Sequence, residues 1–492
     1  MMEGYSRLHV AKKAKPKRES SIVAFTKLLS VPTILLIVIA SLDNADKQLL
    51  ASSFPIFENL LNWNVKELGY FSLATNLSYA LSLPVWGWLI HQYSGTRNLQ
   101  KLLAYACGAW GIAMISIAVA TLSASTTSSK TGTVSSFWIH IQISVRAMNG
   151  AALGSILPLS QSLLVEYVPA NYRGQAFGLM GAGEKLAGTL SSAAVVYLGE
   201  NHWQYAYYGL GILSIVMGFL ARYMSLGSTE SITNARQHAV AEQEKKATEV
   251  LTLRDIVQRI IRLPAFICLV AQGVFGGTPW DMMSYLLLLM DWRGFTNDQK
   301  VALQFLQGIS SMIGGWLGGV FGDYAASRNG SQGRIFVALL SVVGGIPLYG
   351  LYLYSTNFRW AMVWTALFNV IATFTPAAAI RPICADLTNG PSERAQIVAL
   401  WIVLEKTSGA LFGAPLVGYL TERMLETSNQ NGQQGNEQKA QALAYNLFTL
   451  SSFFWGVCSL FWAIMLVTLK NGGNVEVLPS PSQSKRRFPS PV

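Results

Sequence analysis

One pattern occurs twice in this chain, as RGQAFGLMGAGEKLAGTL at residues 173–190 and as RAQIVALWIVLEKTSGAL at residues 394–411. Aligned by a shift of 221 residues, the two copies are identical at seven of their 18 positions. The identities include a charged pair, because Glu184-Lys185 falls on Glu405-Lys406. Repetition at a fixed spacing is the sequence signature of related structural units. The chain is therefore predicted to consist of two homologous halves.

A weaker similarity supports the same organisation. It places Gly87-Trp-Leu-Ile-His91 opposite Gly319-Val-Phe-Gly-Asp323, each at the end of the second apolar run of its half. Together with Arg97, the residues Gly87, His91, Gly319 and Asp323 form a candidate motif of the cytosolic loops.

Composition identifies the environment of the chain. Of its 492 residues, 51% are hydrophobic and 12% are charged, whereas soluble domains carry about 25% charged residues. The net charge of +11 could indicate a nucleic-acid partner, but the basic residues crowd the tails and the short connectors between apolar runs. We therefore expect no nucleic-acid partner and predict a polytopic membrane protein in contact with the lipid bilayer.

The apolar runs are long enough to cross a bilayer, which takes about 20 residues per helix. They predict an all-α membrane protein with 12 transmembrane helices in two pseudo-symmetric six-helix halves. The predicted spans lie near 30–53, 67–90, 101–121, 136–165, 175–199, 205–225, 264–290, 299–322, 334–356, 360–386, 395–421 and 442–469. The predicted domains are a basic tail (1–29), an N-terminal half (30–225), a linker (226–262), a C-terminal half (263–470) and a second tail (471–492).

Basic residues predict the orientation, because they are enriched in cytosolic connectors. With a cytosolic N-terminus, the cytosolic segments hold 24 Lys and Arg residues and the opposite side holds seven. Both termini and the linker are therefore expected in the cytosol. The sequence leaves open whether the membrane is the plasma membrane or an internal one.

Several motifs resemble a known family. Asp46-Lys47 with Pro55 is similar to the signature that ends the first span of spinster-like transporters, and Arg146-Ala-Met-Asn-Gly150 is similar to their fourth-span pattern. The chain thus resembles the major facilitator superfamily, and the spinster-like family most. This resemblance implies a transporter whose substrate site lies near the midplane, between the halves.

The chain also departs from that family. His91 stands where the loop motif has an aspartate, Ala152 and Leu153 replace an acidic residue, and Glu184-Lys185 occupy a stretch that is normally apolar. The family's substrates, which include lysophospholipids, sphingoid lipids and some sugars, are therefore not assigned to this chain.

Charged residues within the spans are candidate functional groups, because their insertion costs about 2.5–3.5 kcal/mol each. Asp43, Asp46 and Lys47 lie in the first span and Arg146 lies in the fourth. The resemblance implies that Asp46 and Arg146 form a proton-coupling pair. The alternative is structural: Asp46 neutralises Lys47 or Arg146 and holds the helices together.

Two candidates lie in the second half. Asp281 in the seventh span mirrors Asp46 approximately, since Trp280-Asp281 opens this half as Asn44-Ala-Asp46 opens the first. Arg381 follows a proline-rich break in the tenth span. It is expected either to hold an anionic group or to snorkel or pair with Asp386.

The repeated Glu-Lys pairs allow two hypotheses. Glu184 is eleven residues from Arg173, which places it ~16 Å along a helix and near the bilayer centre. Adjacent residues do not face each other on a helix, so each side chain is expected to find partners on other helices. Either each pair makes bridges within its own half, or Glu184 meets Lys406 and Lys185 meets Glu405 across the halves as a gate.

The predicted function follows from what is present and what is missing. The sequence contains no nucleophile elbow, no HExxH zinc motif, no phosphate-binding loop and no dinucleotide fingerprint. We therefore expect no enzyme activity, cofactor or metal, and predict a proton-coupled secondary transporter of a small organic or lipid-like solute. The alternatives are a facilitative uniporter, and a sensor or assembly partner with a transporter fold.

Overall fold

The structure is a computed structural model, and it describes residues 30–93, 95–131, 136–168, 173–223, 264–380, 382–383, 391–428 and 435–472. These residues are helices and short connections, without a strand among them. The predicted N-terminal tail and linker lie outside the described residues, so the domain boundaries stay predictions.

The first half contains six spans, of which spans 1 and 4 each consist of two consecutive helices. Their bounds are Val31–Ser52 and Phe54–Leu61 (span 1), Val65–Gln92 (span 2), Thr96–Thr131 (span 3), Ser136–Leu153 and Ile156–Tyr167 (span 4), Arg173–His202 (span 5) and Gln204–Arg222 (span 6).

The second half also contains six spans, several of them interrupted. They are Pro264–Met282 with Met283–Tyr285 and Leu286–Trp292 (span 7), Asn297–Tyr354 (spans 8 and 9), Phe358–Ala372 with the π-helical Pro376–Ile380 (span 10), Pro391–Phe412 with Ala414–Ser428 (span 11), and Asn436–Gly472 (span 12). The predicted twelve-helix, two-half architecture is confirmed.

The chain reverses between spans 8 and 9. Asn329 leaves the helical region, and Gly330 adopts φ 55°, which is the left-handed region that favours glycine. Gly333 then lies directly on the backbone of Ala325, so that any side chain at residue 333 would collide with it. The continuous helical segment Asn297–Tyr354 is thus two antiparallel spans.

Capping boxes start spans 2 and 8. Asn64 accepts from the Glu67 N–H while the Glu67 carboxylate accepts from the Asn64 N–H, and Thr296 and Gln299 repeat this exchange. Such reciprocal bonds satisfy helix N–H groups that have no partner within the helix. The two boxes are 232 residues apart, the same shift that relates His91 to Asp323.

Packing between spans follows the same symmetry. Span 1 packs on span 5 and span 3 on span 6 in the first half, as span 7 packs on span 11 and span 9 on span 12 in the second. The halves meet where span 2 packs on span 11 and span 5 packs on span 8. These two contacts exchange under the pseudo-twofold axis of the repeat.

Glycines allow close helix approach at equivalent places in each half. A side chain at Gly150 of span 4 would overlap the carbonyl of Thr75 in span 2. A side chain at Gly318 of span 8 would overlap the backbone of Phe374, which follows the first helix of span 10. Small residues at such crossings are typical of membrane helices.

Five of the described helical segments are long and apolar enough, by length and composition alone, to cross a membrane. They are Thr96–Thr126, Gln204–Arg222, Asn297–Tyr354, Phe358–Ile380 and Asn436–Thr468. The helix Val31–Ser52 differs from them because it contains Asp43, Asp46 and Lys47.

Candidate functional site

Inter-half hydrogen bonds cluster at one end of the molecule, which we call the sealed end. The Tyr285 hydroxyl donates to the Val65 carbonyl over 2.7 Å. The Glu58 carboxylate accepts from Trp292 Nε1 over 2.7 Å and from Lys439 Nζ over 3.0 Å. One carboxylate of the first half is thereby held by two donors of the second half.

A second contact closes the same end between spans 5 and 8. The Tyr197 hydroxyl donates to Asp298 Oδ1 over 3.0 Å at the surface. Beneath it lies a small buried apolar cluster from both halves, which consists of Ala193, Val196, Leu287 and Val301. The sealed end therefore combines polar bonds with apolar packing.

A central cavity of about 270 Å³ lies mainly in the second half, among spans 7, 9, 10, 11 and 12. Lys185 of span 5 contributes to its wall from the first half. Its polar lining otherwise includes Gln272, Ser341, Thr375 and Glu405. The cavity is thus bounded by both halves, although unequally.

Aromatic rings form one wall of this cavity. Trp280 stacks on Phe368 with ring centroids 6.0 Å apart, and Trp455 meets Trp280 edge-on at 6.3 Å. Trp401 also lines the cavity, and its buried Nε1 has no hydrogen-bond partner among the described residues. This wall offers flat apolar surface and one unused donor.

Glu405 carries the carboxylate of the cavity wall. Its Oε1 lies 3.9 Å from Nζ of its neighbour Lys406, so the long side chains do approach each other although adjacent residues were expected to diverge. Glu405 lies so close to Gly277 of span 7 that a side chain at residue 277 would overlap its Cγ. Glycine at residue 277 therefore sets the position of this carboxylate.

Lys185 lines the cavity and also a polar crevice of about 40 Å³ between spans 1, 5 and 8. The crevice is lined by Asn44, Gln48, Lys185, Thr189, Gln304, Gln307, Gly308 and Ser311. Within the described part of the chain, the Lys185 ammonium has neither an ion-pair partner nor a hydrogen-bond acceptor. The expected bridge from Lys185 to Glu405 is not formed.

Glu184 is fixed through its backbone, because the Asn44 amide of span 1 donates to the Glu184 carbonyl over 2.7 Å. Lys406 contacts Glu405 rather than Glu184. The cross-half bridges considered for the repeated pairs are therefore not formed in this conformation.

Lys47 and Asp43 form an ion pair within span 1. Lys47 Nζ lies 2.6 Å from Asp43 Oδ2, four residues earlier on the same helix face, and 4.4 Å from the centroid of the Tyr79 ring. Spacing of four residues favours such pairs, and an ammonium over an aromatic ring is a favourable contact. Lys47 is thus neutralised by Asp43 and not by Asp46.

Asp46 and Arg146 are both fully buried, but they are not directly bonded as expected. The Asn149 amide, oriented to satisfy both of its neighbours, donates to Asp46 Oδ2 over 3.2 Å and accepts from Trp110 Nε1 over 3.0 Å. Arg146 Nη2 instead donates to the Tyr207 hydroxyl over 2.8 Å. Amides and aromatic residues take the places that the direct pair would fill.

The Arg146 guanidinium lies in an aromatic surrounding. Its Cζ lies 4.7 Å from the Phe71 ring centroid and 5.4 Å from that of Tyr207, and the Tyr207 hydroxyl also hydrogen-bonds Ser53 of span 1 over 3.0 Å. Arg146 Nε and Nη1 and Asp46 Oδ1 have no hydrogen-bond partner among the described residues. Two buried opposite charges thus retain unused bonding capacity in one region.

Asp281 corresponds to Asn44 rather than to Asp46. Asp281 lies against Gly409 of span 11, and Asn44 lies against Gly188 of span 5. Gly188 and Gly409 are equivalent in the repeat, so the side chains that contact them are equivalent too. Counting from the start of each span misplaced this correspondence by two residues.

The loop-motif residues lie at the end opposite the seal. Asp323 pairs with Arg334 of span 9 over 2.7 Å, and Arg334 donates to the Ala378 carbonyl of span 10 over 3.2 Å. No other atom lies near Gly87, Gly319 approaches only Ala377, and Arg97 is exposed. The side chain of His91 lies outside the described part of the structure, as do Arg381 and Asp386.

The aromatic wall was missed by the sequence analysis. Trp280, Phe368, Trp401 and Trp455 occur in apolar runs, where aromatic residues are typical of a core. The partner of Arg146, Tyr207, was missed for the same reason. The one available signal was that Trp280 directly precedes Asp281.

Two six-helix halves with a cavity between them, sealed at one end, define a membrane transport protein and not an enzyme. The chain belongs to the Major Facilitator Superfamily, whose family model matches residues 36–414. The resemblance found in the sequence is thereby confirmed at the level of the superfamily.

Solved structures of transporters share this fold. A bacterial homologue of the human lysosomal transporter Spinster, inward-facing and unoccupied, gives a TM-score of 0.65 at 14% identity, covering 89% of this chain and 97% of that one. The nucleoside transporter NupG gives 0.61 at 12% identity, covering 90% and 100%. The D-xylose-proton symporter gives 0.58 at 12% identity, covering 91% and 97%. At such identities the likeness shows the fold alone.

A curated relative is similar over part of its length. The multidrug export protein EmrB of Haemophilus influenzae is 23% identical over 226 residues, which is 45% of this chain and 38% of that protein. The chain thus matches less than half the length of this relative.

Proposed function

We propose that this chain is a secondary active transporter that moves a small organic or lipid-like solute by alternating access, coupled to protons. The observation that carries the proposal is the central cavity, which has charged groups from both halves in its wall and the sealed end to one side. A solute bound there is reached from one side of the membrane at a time.

The distribution of basic residues supports an orientation for this conformation. Both termini and the linker face the cytosol, so the sealed end faces away from it and the cavity is in an inward-facing state. Peptide tags at either terminus should resist protease added to intact cells. Cleavage of one tag alone would contradict an even number of spans.

Asp46 is the proposed proton site. It is a fully buried carboxyl group with one unpartnered oxygen, in the same region as a fully buried Arg146. Ionisable groups at membrane depth are costly and mark proton relays in transporters. Arg146 tunes the site electrostatically, through the aromatic and hydroxyl groups that hold it.

The test uses purified protein in vesicles that contain a trapped pH-sensitive dye. Lysophospholipids, sphingoid bases, amino acids and sugars are added in separate pools, and the internal pH is recorded with and without a protonophore. We expect one pool to change the internal pH. Asp46→Asn should abolish accumulation driven by a pH gradient while it preserves exchange of labelled solute at equal pH.

Asp298→Asn is the matched control, because it removes a carboxylate of the same size at the exposed surface. It should leave both activities intact. Accumulation that survives in Asp46→Asn would assign the proton to another group. If no pool drives proton movement or exchange, the transporter proposal is wrong and a sensor or assembly role replaces it.

A further inference from the structure

The central cavity has two unlike charges with unused bonding capacity. Glu405 has Lys406 as its charged neighbour, but at 3.9 Å their contact is longer than a hydrogen bond. Lys185 lines the same cavity, and its ammonium has no acceptor within the residues that the structure describes. A ligand with one charge would satisfy only one of these groups.

The aromatic wall adds a third feature. Trp280 and Phe368 present stacked rings, and Trp455 closes the corner edge-on. Ring faces attract both flat apolar groups and cations. The buried hydroxyl of Thr375, which is 8% exposed and lines the cavity, has no hydrogen-bond partner among the described residues.

The cavity size limits the ligand. Its volume of about 270 Å³ lies just below the range of about 300–1,000 Å³ that is typical of pockets for drug-sized ligands. A long acyl chain would have to leave this enclosed space. The occupant of the cavity is therefore a compact molecule.

We propose that the cavity selects a small zwitterion with an aromatic ring. The ammonium group of the ligand binds the Glu405 carboxylate, its ring packs on Trp280 and Phe368, and its carboxylate binds the Lys185 ammonium at the polar crevice. That this ligand is also the transported solute rests on the proposed function, whereas its binding does not.

The two charged contacts come from different halves. Glu405 belongs to span 11 and Lys185 to span 5, so one bound molecule bridges the interface that alternating access must rearrange. A cation alone would bind only the second half, and an anion alone would bind chiefly the first. Selection of a zwitterion thus links ligand identity to contact with both halves.

The experiment measures calorimetric binding to the full-length protein in lipid nanodiscs with four matched probes. They are L-phenylalanine, phenethylamine (no carboxylate), 3-phenylpropionate (no ammonium) and L-alanine (no ring). We expect phenylalanine to bind best, with each of the others weaker by about 10-fold or more, since a hydrogen bond to a charged group contributes about 1.5–3 kcal/mol.

Two variants assign the contacts. Glu405→Gln should weaken phenylalanine binding by about 10-fold or more and leave 3-phenylpropionate unchanged, because only the ammonium contact is lost. Lys185→Gln should weaken phenylalanine by a similar factor and leave phenethylamine unchanged. Glu437→Gln and Lys101→Gln, at exposed positions, are the matched controls and should bind all four probes as the unmodified protein does.

Equal binding of phenylalanine and either single-charge probe would overturn the proposal, as would no binding of phenylalanine at all. The proposed function fails separately. If phenylalanine does not bind but another pool moves protons in vesicles, the ligand class is wrong and transport stands. If phenylalanine binds with the expected dependence on both variants and no solute moves, the ligand class stands and transport is wrong.

Discussion

In the first half, Gly188 of span 5 lies against Asn44 of span 1, and in the second half Gly409 of span 11 lies against Asp281 of span 7. The crossings are equivalent, but the chemistry around them differs. The first half buries Asp46 and Arg146 completely, whereas the second half has an open cavity with a wall of tryptophan and phenylalanine. A common framework thus supports a candidate proton site in one half and a candidate ligand site in the other.

One residue shows how the halves diverged. Asn44 and Asp281 are 237 residues apart, and the same shift relates Ala40 to Gly277. The Glu405 side chain lies directly on Gly277, while the methyl group of Ala40 fills the corresponding space on span 1. Loss of one methyl group therefore allows a carboxylate to line the cavity in the second half alone.

The shared framework gives the largest expected effect. Gly150→Leu and Gly318→Leu each force a side chain into the backbone of a neighbouring helix, and such overpacking costs about 1–3 kcal/mol or more. Both variants should lower the melting temperature in detergent to a similar extent. Gly87→Leu, at a position with open space around it, is the control. A large loss in one half only would contradict equivalent roles for the two crossings.

The first half is tested through Arg146. Arg146→Gln removes a buried charge that bonds Tyr207 and lies over Phe71. We expect accumulation driven by a pH gradient to fall by about tenfold, equivalent to ~1.4 kcal/mol, while phenylalanine binding in the second half is unchanged. The measurements are the vesicle dye assay and calorimetry.

Arg359→Gln provides the matched control, since Arg359 is exposed at the start of span 10. It should alter neither accumulation nor binding. A loss of phenylalanine binding in Arg146→Gln would show that the two halves do not separate the two tasks.

The second half is tested by restoring the methyl group that the first half has. Gly277→Ala should displace Glu405, because the added carbon overlaps the Glu405 side chain. Phenylalanine binding should weaken by several-fold, up to about tenfold, and 3-phenylpropionate binding should not change. The reciprocal Ala40→Gly should leave both affinities as they are. Unchanged phenylalanine binding in Gly277→Ala would separate Glu405 from the ligand.

Much of the fold was predictable because it rests on signals that a single sequence contains. Twelve apolar runs and a repeat with identical charged residues predicted both the spans and the halves. The Asp43–Lys47 pair was also within reach, since its spacing of four residues favours an ion pair on a helix. The capping boxes at Asn64 and Thr296 share the shift of the loop motif and could have extended the repeat.

The candidate site was less predictable for a physical reason. Which side chains meet depends on the rotation and crossing of helices, and an apolar run does not encode either. Asp46 thus meets Asn149 where Arg146 was expected, and Asp281 corresponds to Asn44. Aromatic residues of the cavity wall look like core residues until the space beside them is known.

The smallest expected effect concerns the sealed end, where both halves contribute to one contact. Glu58 accepts two hydrogen bonds from the second half, and its side chain is 16% exposed. Glu58→Gln exchanges these charge-assisted bonds for weaker ones, at a cost of about 1 kcal/mol. The seal should therefore open in a larger fraction of molecules.

Spin labels at Asn201 and Glu437, exposed positions of the two halves at this end, can measure the change as a growing population at longer distance. Tyr197→Phe is the matched comparison, because it also removes an inter-half bond but leaves the apolar cluster of Ala193, Val196, Leu287 and Val301 beneath it intact. Since the Tyr197 side chain is 60% exposed, water replaces the lost bond and the distances should not change. If Tyr197→Phe opened the seal as far as Glu58→Gln does, the buried carboxylate would have no special role. The closed end would then depend on the number of bonds and not on the charge that Glu58 places between the halves.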